Sequence, residues 1–322
     1  MRTRLTEIVK QTLCPIPADK QDPNYSFYFK HYQDNLFYPM APQHVAEYGE
    51  GNGGELEPNG TRPAKMASIV SSSAMTFNLL GNHQVKIVDN PFFKPGTYQI
   101  AYEKKLPTLN KRSNPANLDA FLYNEEAGEA IFCEMKMMEW LSPPGVLKAA
   151  YRNEINYFHK DAFVVFANII EKLKPGEKEN GDYEAAFSRY DAWQMLKHTM
   201  AIYNATSERT KDGIEGRMPG SSVAGRFKNI TLLNVVFEMD DALIEQEKLK
   251  QAHNQALAEE HAQKDRFIEV MMDPANGLAN LFQTDCDAAF EIRYVSAAQF
   301  VECLDKNEEE LAKLKRYGCN HK

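Results

Sequence analysis

Three residues near the middle of the chain place acids and an amine inside otherwise apolar sequence. They are Asp119 in NLDAFLYN (117–124), and Glu134 with Lys136 in AIFCEMKMMEWL (130–141). Alternate side chains of a strand share a face, so Glu134 and Lys136 point the same way. Their neighbours are Ile131, Phe132, Cys133, Met135, Met137 and Met138, where an unpaired, dehydrated charge is expensive. Two explanations meet that cost. One is a structural ion pair of Lys136 with Glu134 or Asp119. The other is a metal site at the sheet's edge. If the two strands are neighbours, both carboxylates face one cleft, and two hard oxygen ligands suit Mg²⁺ or Mn²⁺. Such an ion lowers the pKa of water and stabilises charge on a phosphodiester. Lys136 would then orient that water and offset charge on the scissile phosphate. The same E-x-K spacing recurs at Glu103–Lys105, with Asp89 upstream. That copy is set aside because its strand runs into a basic loop, where water is expected to solvate it.

Periodicity and turn residues supply the elements that must position these groups. A helix is predicted over 64–81, with Gly81 as its stop. Extended segments follow at 85–89 and 97–103. The strands at 117–124 and 130–141 read as a hairpin-like pair, ended by Ser142-Pro143-Pro144-Gly145. Helices are expected over 146–173 and 182–205, then a glycine-rich loop at 206–228. A strand buried on both faces is expected at 230–239, a long polar helix at 241–271 and a last strand at 291–295. Ser296 and Gln299 have the spacing of a capping box for a final helix. This order implies an α/β domain with helices packed on one central sheet.

The 322 residues are 43% hydrophobic, 11% aromatic and 25% charged, an ordinary globular balance. A net charge of −8 excludes a generally basic nucleic-acid coat but not a local basic groove. Basic residues gather in two loops: Lys104, Lys105, Lys111 and Arg112, then Arg209, Lys211, Arg217, Arg226 and Lys228. These are either solvated surface or DNA-phosphate contacts, and a homodimer would pool two such faces. The segment GEGNGGELEPNGTRP (49–63) has a phosphate loop's glycines but lacks G-K-[ST] and carries Glu50, Glu55 and Glu57, which argues against nucleotide binding. The five cysteines show no zinc or redox spacing. Reduced thiols and a cytoplasmic location are expected, with no membrane span.

Asp119…Glu134-x-Lys136 resembles the active-site pattern of the PD-(D/E)XK nuclease superfamily, with Leu118 where the proline of that name would stand. The wider text (KMASIVSSSAMTFNLLG, LDAFLYN, FCEMKMMEWL and YDAWQMLKH) resembles bacterial restriction-endonuclease-like proteins over roughly residues 45–240. The resemblance implies a restriction-endonuclease-like αβββαβ core, a central mixed sheet flanked by helices, with helical additions at both ends. It implies an N-terminal extension (1–48), a nuclease-like core (49–240) and a C-terminal helical region with one further strand (241–322). Asp119 and Glu134 would bind the metal and Lys136 would be catalytic. A further acid near the first helix would be Glu55, with Glu47 in reserve, and a site-facing glutamine would be Gln194, which shares a helical face with Lys197 and His198. The activity implied is metal-dependent hydrolysis of DNA by a restriction or defence endonuclease. The alternative is a catalytically silent nuclease fold that binds nucleic acid or assembles with a partner. A glycosidase has carboxylate pairs too, but gains nothing from the lysine.

Overall fold

The computed structural model describes residues 1–50, 54–111 and 114–318. Six strands make one mixed sheet in chain order: β1 (Gln84–Ile87), β2 (Gly96–Leu106), β3 (Ala116–Asn124), β4 (Glu129–Lys136), β5 (Asn229–Val236) and β6 (Ala289–Ser296). The first four run antiparallel to their neighbours, while β4, β5 and β6 are parallel. β3 and β4 form the expected hairpin. The unbroken apolar run of β5 suits a strand covered on both faces, and all of its residues but the first are buried. The C-terminal strand β6 joins this same sheet beside β5.

Ten helices surround the sheet among the described residues: α1 (Arg2–Ile8), α2 (Pro42–Glu50), α3 (Ser72–Leu80), α4 (Lys160–Leu173), α5 (Ala192–Thr206), α6 (Lys211–Arg217), α7 (Glu247–Met272), α8 (Leu278–Cys286), α9 (Ala297–Glu302) and α10 (Glu308–Leu314). One core joins Leu5 of α1, Val9 just after it, Phe77 of α3 and Phe300 of α9 to Ile100, Leu122 and Leu233 of the sheet. The other joins Ile169 of α4, Trp193 of α5, Phe267 of α7 and Phe282 of α8 to Phe121, Phe132 and Leu232. The predicted capping box is present: Ser296 Oγ accepts from the Gln299 N–H and Gln299 Oε1 from the Ser296 N–H.

Two predicted helices begin later than periodicity suggests, for the same reason: neighbouring chain claims backbone groups of their first residues, which form only short 3-10 turns. The helix expected from 64 starts at Ser72, capped by Ser71. Upstream, the Met66 N–H donates to the Glu55 carbonyl, the Phe29 N–H to Ala67 and the Ile69 N–H to Phe27. The helix expected from 146 starts at Lys160. There Leu147 exchanges hydrogen bonds with Tyr183, Asp182 accepts from the Ala149 N–H, and Asn156 bonds back to Ala150. Asparagine's local bonds compete with helix formation. The helix expected from 182 likewise starts at Ala192, capped by Asp191, and the loop at 206–228 contains α6.

One buried side chain fixes the chain ahead of α3. Asn35 donates to the carbonyls of Met66 and Ser68 at 2.6 and 2.8 Å, and its Oδ1 accepts from Arg316 Nη2 at 2.7 Å. Asn35→Ala strips partners from three buried groups at once. It is expected to cost roughly 3 kcal/mol, read as a shift in urea midpoint at constant slope.

Candidate functional site

The sheet opens where the acids stand. The β3–β4 ladder ends at Ala120↔Cys133, so Asp119 and Glu134 are the first residues beyond it. The β2–β3 register passes from Tyr102↔Ala120 to Lys104↔Leu118, which sets Glu103 opposite Asp119. Glu103, Asp119 and Glu134 therefore occupy one row across three adjacent strands. Glu103 has φ +49°, a conformation that costs a non-glycine residue strain and interrupts the ladder. The Met135 N–H donates to Asp119 Oδ2 at 2.6 Å. All three acids line a cavity of about 410 Å³, together with Glu55, Lys136, Gln194 and Ser71–Ser73 at the start of α3.

Glu134 is held on every side. Its Oε1 lies 2.6 Å from Lys136 Nζ and accepts from Gln194 Nε2 at 2.8 Å. Its Oε2 lies 2.8 Å from His198 Nε2, an ion pair if the imidazole is protonated, set off the direction of a good hydrogen bond. Gln194 closes the loop, since its Oε1 accepts from Lys136 Nζ at 2.7 Å. An ammonium has three donors, and two are used here. Glu55 is buried beside α3, paired with Lys65 at 2.6 Å and accepting from Ser73 Oγ at 2.8 Å.

The electrostatics are uneven. Burial opposes ionisation of Glu134, but Lys136 and His198 overcome it and hold the carboxyl below its usual range. Burial would lower the Lys136 pKa, yet Glu134, Glu139 and Asp119 push it above normal, so it stays an ammonium. Asp119 is pushed well above the ordinary carboxylate range by burial and by Glu134 and Glu103, although Lys136 and the Met135 N–H pull the other way. Glu103 is pushed up to about 7, mainly by burial, with Glu55 and Glu134 adding to it against the Asn117 hydrogen bond. The row thus has more carboxylate than the available cations can neutralise.

These residues suit a hard divalent ion. The donors are oxygens, and another cation would offset the burial and crowding that raise the pKa values of Asp119 and Glu103. Among the described residues no three or more His, Cys, Asp or Glu side chains form a group able to close round an ion. An ion would rest on Asp119 and Glu134 and retain water, which is how Mg²⁺ is ordinarily bound.

The cavity therefore gathers Asp119, Glu134, Lys136, Glu55 and Gln194. Glu47 stands apart, bonded to His44 and the Tyr102 N–H. Glu103, expected to be solvated, is buried at 7% exposure because the strand turns it under Asn117 and into the acid row. Its E-x-K spacing was the available signal. His198 contacts Glu134, as its i, i+4 spacing from Gln194 allows, and Arg2 of α1 also reaches the cavity wall; no spacing rule in the sequence points to Arg2.

The described basic residues among those expected to meet DNA do not line this cavity. Arg209 pairs with Asp161, Lys211 with Glu208, Arg226 with Glu125 and Lys228 with Asp287. Arg217 donates to the carbonyls of Leu109 and Lys111, and Lys105 to that of Glu50. Lys104 is half-buried and Lys111 exposed, while Arg112 lies outside the described residues. Lys228 precedes β5, six residues before the Asn234 that pairs with Glu134, roughly 20 Å away along the strand.

Different cations border the site. A second cavity of about 200 Å³, lined by Arg2, Lys136, Gln194 and Arg189, adjoins the first. A third, of about 600 Å³, includes Lys148, Gln194, Lys197 and His198. Gln194 lines all three, so the first turn of α5 is their junction. That turn is held in place from α7: Gln263 Oε1 accepts from the N–H groups of Arg189 and Tyr190 at 2.9 and 3.2 Å, and its Nε2 donates to Ser188.

A family model described as Restriction Endonuclease associating with ARP matches residues 2–295. No curated protein and no solved structure matches the chain.

The raised Glu103 pKa predicts a pH signature. In the folded state the carboxyl holds its proton to about 7, above its ordinary 4.5, so stability falls as pH rises through that window. Glu103→Gln keeps an acceptor for Asn117 and removes the titration. Without divalent ions, the variant is expected to melt a few degrees above wild type at pH 8 and level with it below pH 4.5. Thermal melts across that range check it.

Proposed function

The chain belongs to the family of restriction endonucleases associating with ARP, and from that premise we propose that it is a divalent-metal-dependent endonuclease of the PD-(D/E)XK type, acting on DNA. One observation carries this reading: a row of carboxylates from three strands, beside an ammonium, on the wall of one cavity. Asp119 and Glu134 would hold Mg²⁺ or Mn²⁺. When bound, the ion lowers the pKa of water and offsets negative charge on the phosphate.

The chain's own groups have definable tasks. Glu134 stays ionised because Lys136 and His198 face it, ready to serve as a ligand without first losing a proton. Lys136 is locked by Glu134 and Gln194 with one N–H to spare, and its raised pKa bars it from acting as a base. It acts as a fixed positive donor that orients the attacking water and the phosphate oxygen. Gln194 sets the geometry by binding both partners of the ion pair. Glu55, tied to Lys65 and Ser73, is a further carboxyl on the cavity wall.

DNA phosphates on this reading run past the three adjoining cavities. Their contacts are Arg2, Lys65, Lys148, Arg189 and Lys197, which border that cleft.

The test separates chemistry from folding. Asp119→Asn is nearly isosteric, keeps an acceptor for the Met135 N–H and removes a carboxyl that resists ionisation. It is expected to melt at or above the wild-type temperature yet lose at least about 100-fold in Mg²⁺-dependent DNA cleavage, assayed on supercoiled and linear DNA. Retained cleavage, or wild-type cleavage in excess chelator, would overturn the assignment.

A second measurement tests the cleft. Lys148→Ala with Lys197→Ala is expected to reduce the slope of log affinity against log salt by about two, roughly one for each phosphate no longer neutralised. Lys228→Ala is expected to leave that slope unchanged.

A further inference from the structure

The cavity of about 200 Å³ beside the acid row has a composition of its own. Its walls are Trp140, Tyr190 and the Pro143-Pro144 turn, and it shares Lys136 and Gln194 with the catalytic cavity. Flat aromatic and proline surfaces are the walls against which planar rings pack. The volume falls below the roughly 300–1,000 Å³ of pockets for drug-sized ligands, leaving room for a single ring system.

Two polar groups at these walls lack partners among the described residues. Trp140 Nε1–H and Tyr190 O–H have no hydrogen bond, although the residues are only 6% and 3% exposed. Buried donors are ordinarily satisfied. The other tryptophan behaves that way: Trp193 Nε1 donates to the Glu184 carbonyl at 2.6 Å. Glu260, also buried at this cavity, adds a carboxyl that accepts from Tyr294 O–H at 3.2 Å. A small pocket with planar walls, idle donors and a carboxyl acceptor matches the edge of a heterocyclic base, which offers acceptors and donors together.

We propose that this cavity receives one unstacked nucleobase of the strand being cut, packed on Pro143-Pro144 with its edge turned to Trp140 and Tyr190, beside Lys136. The inference rests on the nuclease reading for its choice of strand. Taking a base out of the stack exposes both its faces and its hydrogen-bonding edge. The proline rings pack on one face and tolerate any base, while Tyr190, Glu260 and the indole N–H read the edge. The shared wall at Lys136 and Gln194 sets the captured base next to the phosphate to be attacked.

The two tryptophans provide a direct test. Protein labelled with ¹⁵N at the indoles gives two side-chain resonances, and Trp140→Phe identifies which belongs to Trp140. Titration in Ca²⁺ with a short single-stranded DNA oligonucleotide, and separately with the four deoxynucleosides, is expected to move the Trp140 resonance saturably and leave that of Trp193 in place. Tyr190→Phe loses no partner on folding, so it is expected to melt no lower than wild type while weakening the titration roughly 2- to 10-fold. A Trp140 resonance that stays fixed while the wild-type enzyme cleaves DNA would overturn the pocket and leave the nuclease standing. A resonance that moves in a protein with no cleavage under any divalent ion would keep the base pocket and remove the nuclease. Unaltered affinity in Tyr190→Phe would remove the hydroxyl from the recognition and overturn the proposed edge contact.

Discussion

Carboxylates crowded together inside a protein repel one another, and each also loses water. A proton or a cation must settle that imbalance. Here the imbalance sits where the sheet comes apart. The ladder on one side of β3 ends at Ala120, and the ladder on the other side is interrupted at Glu103. The same break that deprives the backbone of regular pairing admits solvent and gathers the acids. One ammonium, Lys136, compensates for part of the charge. It is itself held between Glu134 and Gln194, so its position depends on both the sheet and α5. α3 on one face and α5 on the other enclose the opening, and the segment clasped by Asn35 determines where α3 begins.

This arrangement bears on the choice between an enzyme and a silent scaffold. A row of like charges lowers stability, and on the proposed reading it is kept for an ion to neutralise. Natural sequences place such local conflict mainly at functional sites. The strained backbone at Glu103 belongs to the same pattern, since it turns an acid inward that could have stayed in water. The family match is to Restriction Endonuclease associating with ARP.

Much of the architecture was legible from residue patterns. β3, β4 and β5 announced themselves because apolar strands bounded by turn residues have few other solutions. The pairing of Glu134 with Lys136 followed from the alternation of side chains. What escaped was set by contacts between distant segments. Glu103 looked solvated because its neighbours in sequence are lysines, whereas its neighbours in space are Asn117 and the acid row. The late starts of α3 and α4 depend on backbone pairing with residues 27–29 and 183, which no local period reveals. Lys228 and Arg226 looked like partners of the site because charge was counted along the chain, but β5 carries them to the far end of the sheet. Arg2 and Lys148, by contrast, are brought to the cleft by packing alone.

The hydrogen bonds from Gln263 have a dynamic consequence. The backbone amides of Arg189 and Tyr190 share a single acceptor on α7, and they lie immediately before the residue that caps α5. α7 is anchored in the core by Phe267, Val270 and Met271, while the part before them is largely polar with few buried side chains, so lifting that part costs less than opening the sheet. Solvent hydrogen would then replace those two amide protons at the rate at which α7 lifts, while strands β4 and β5 stay protected. The rim of the cleft would breathe on α7's timescale, independently of its floor.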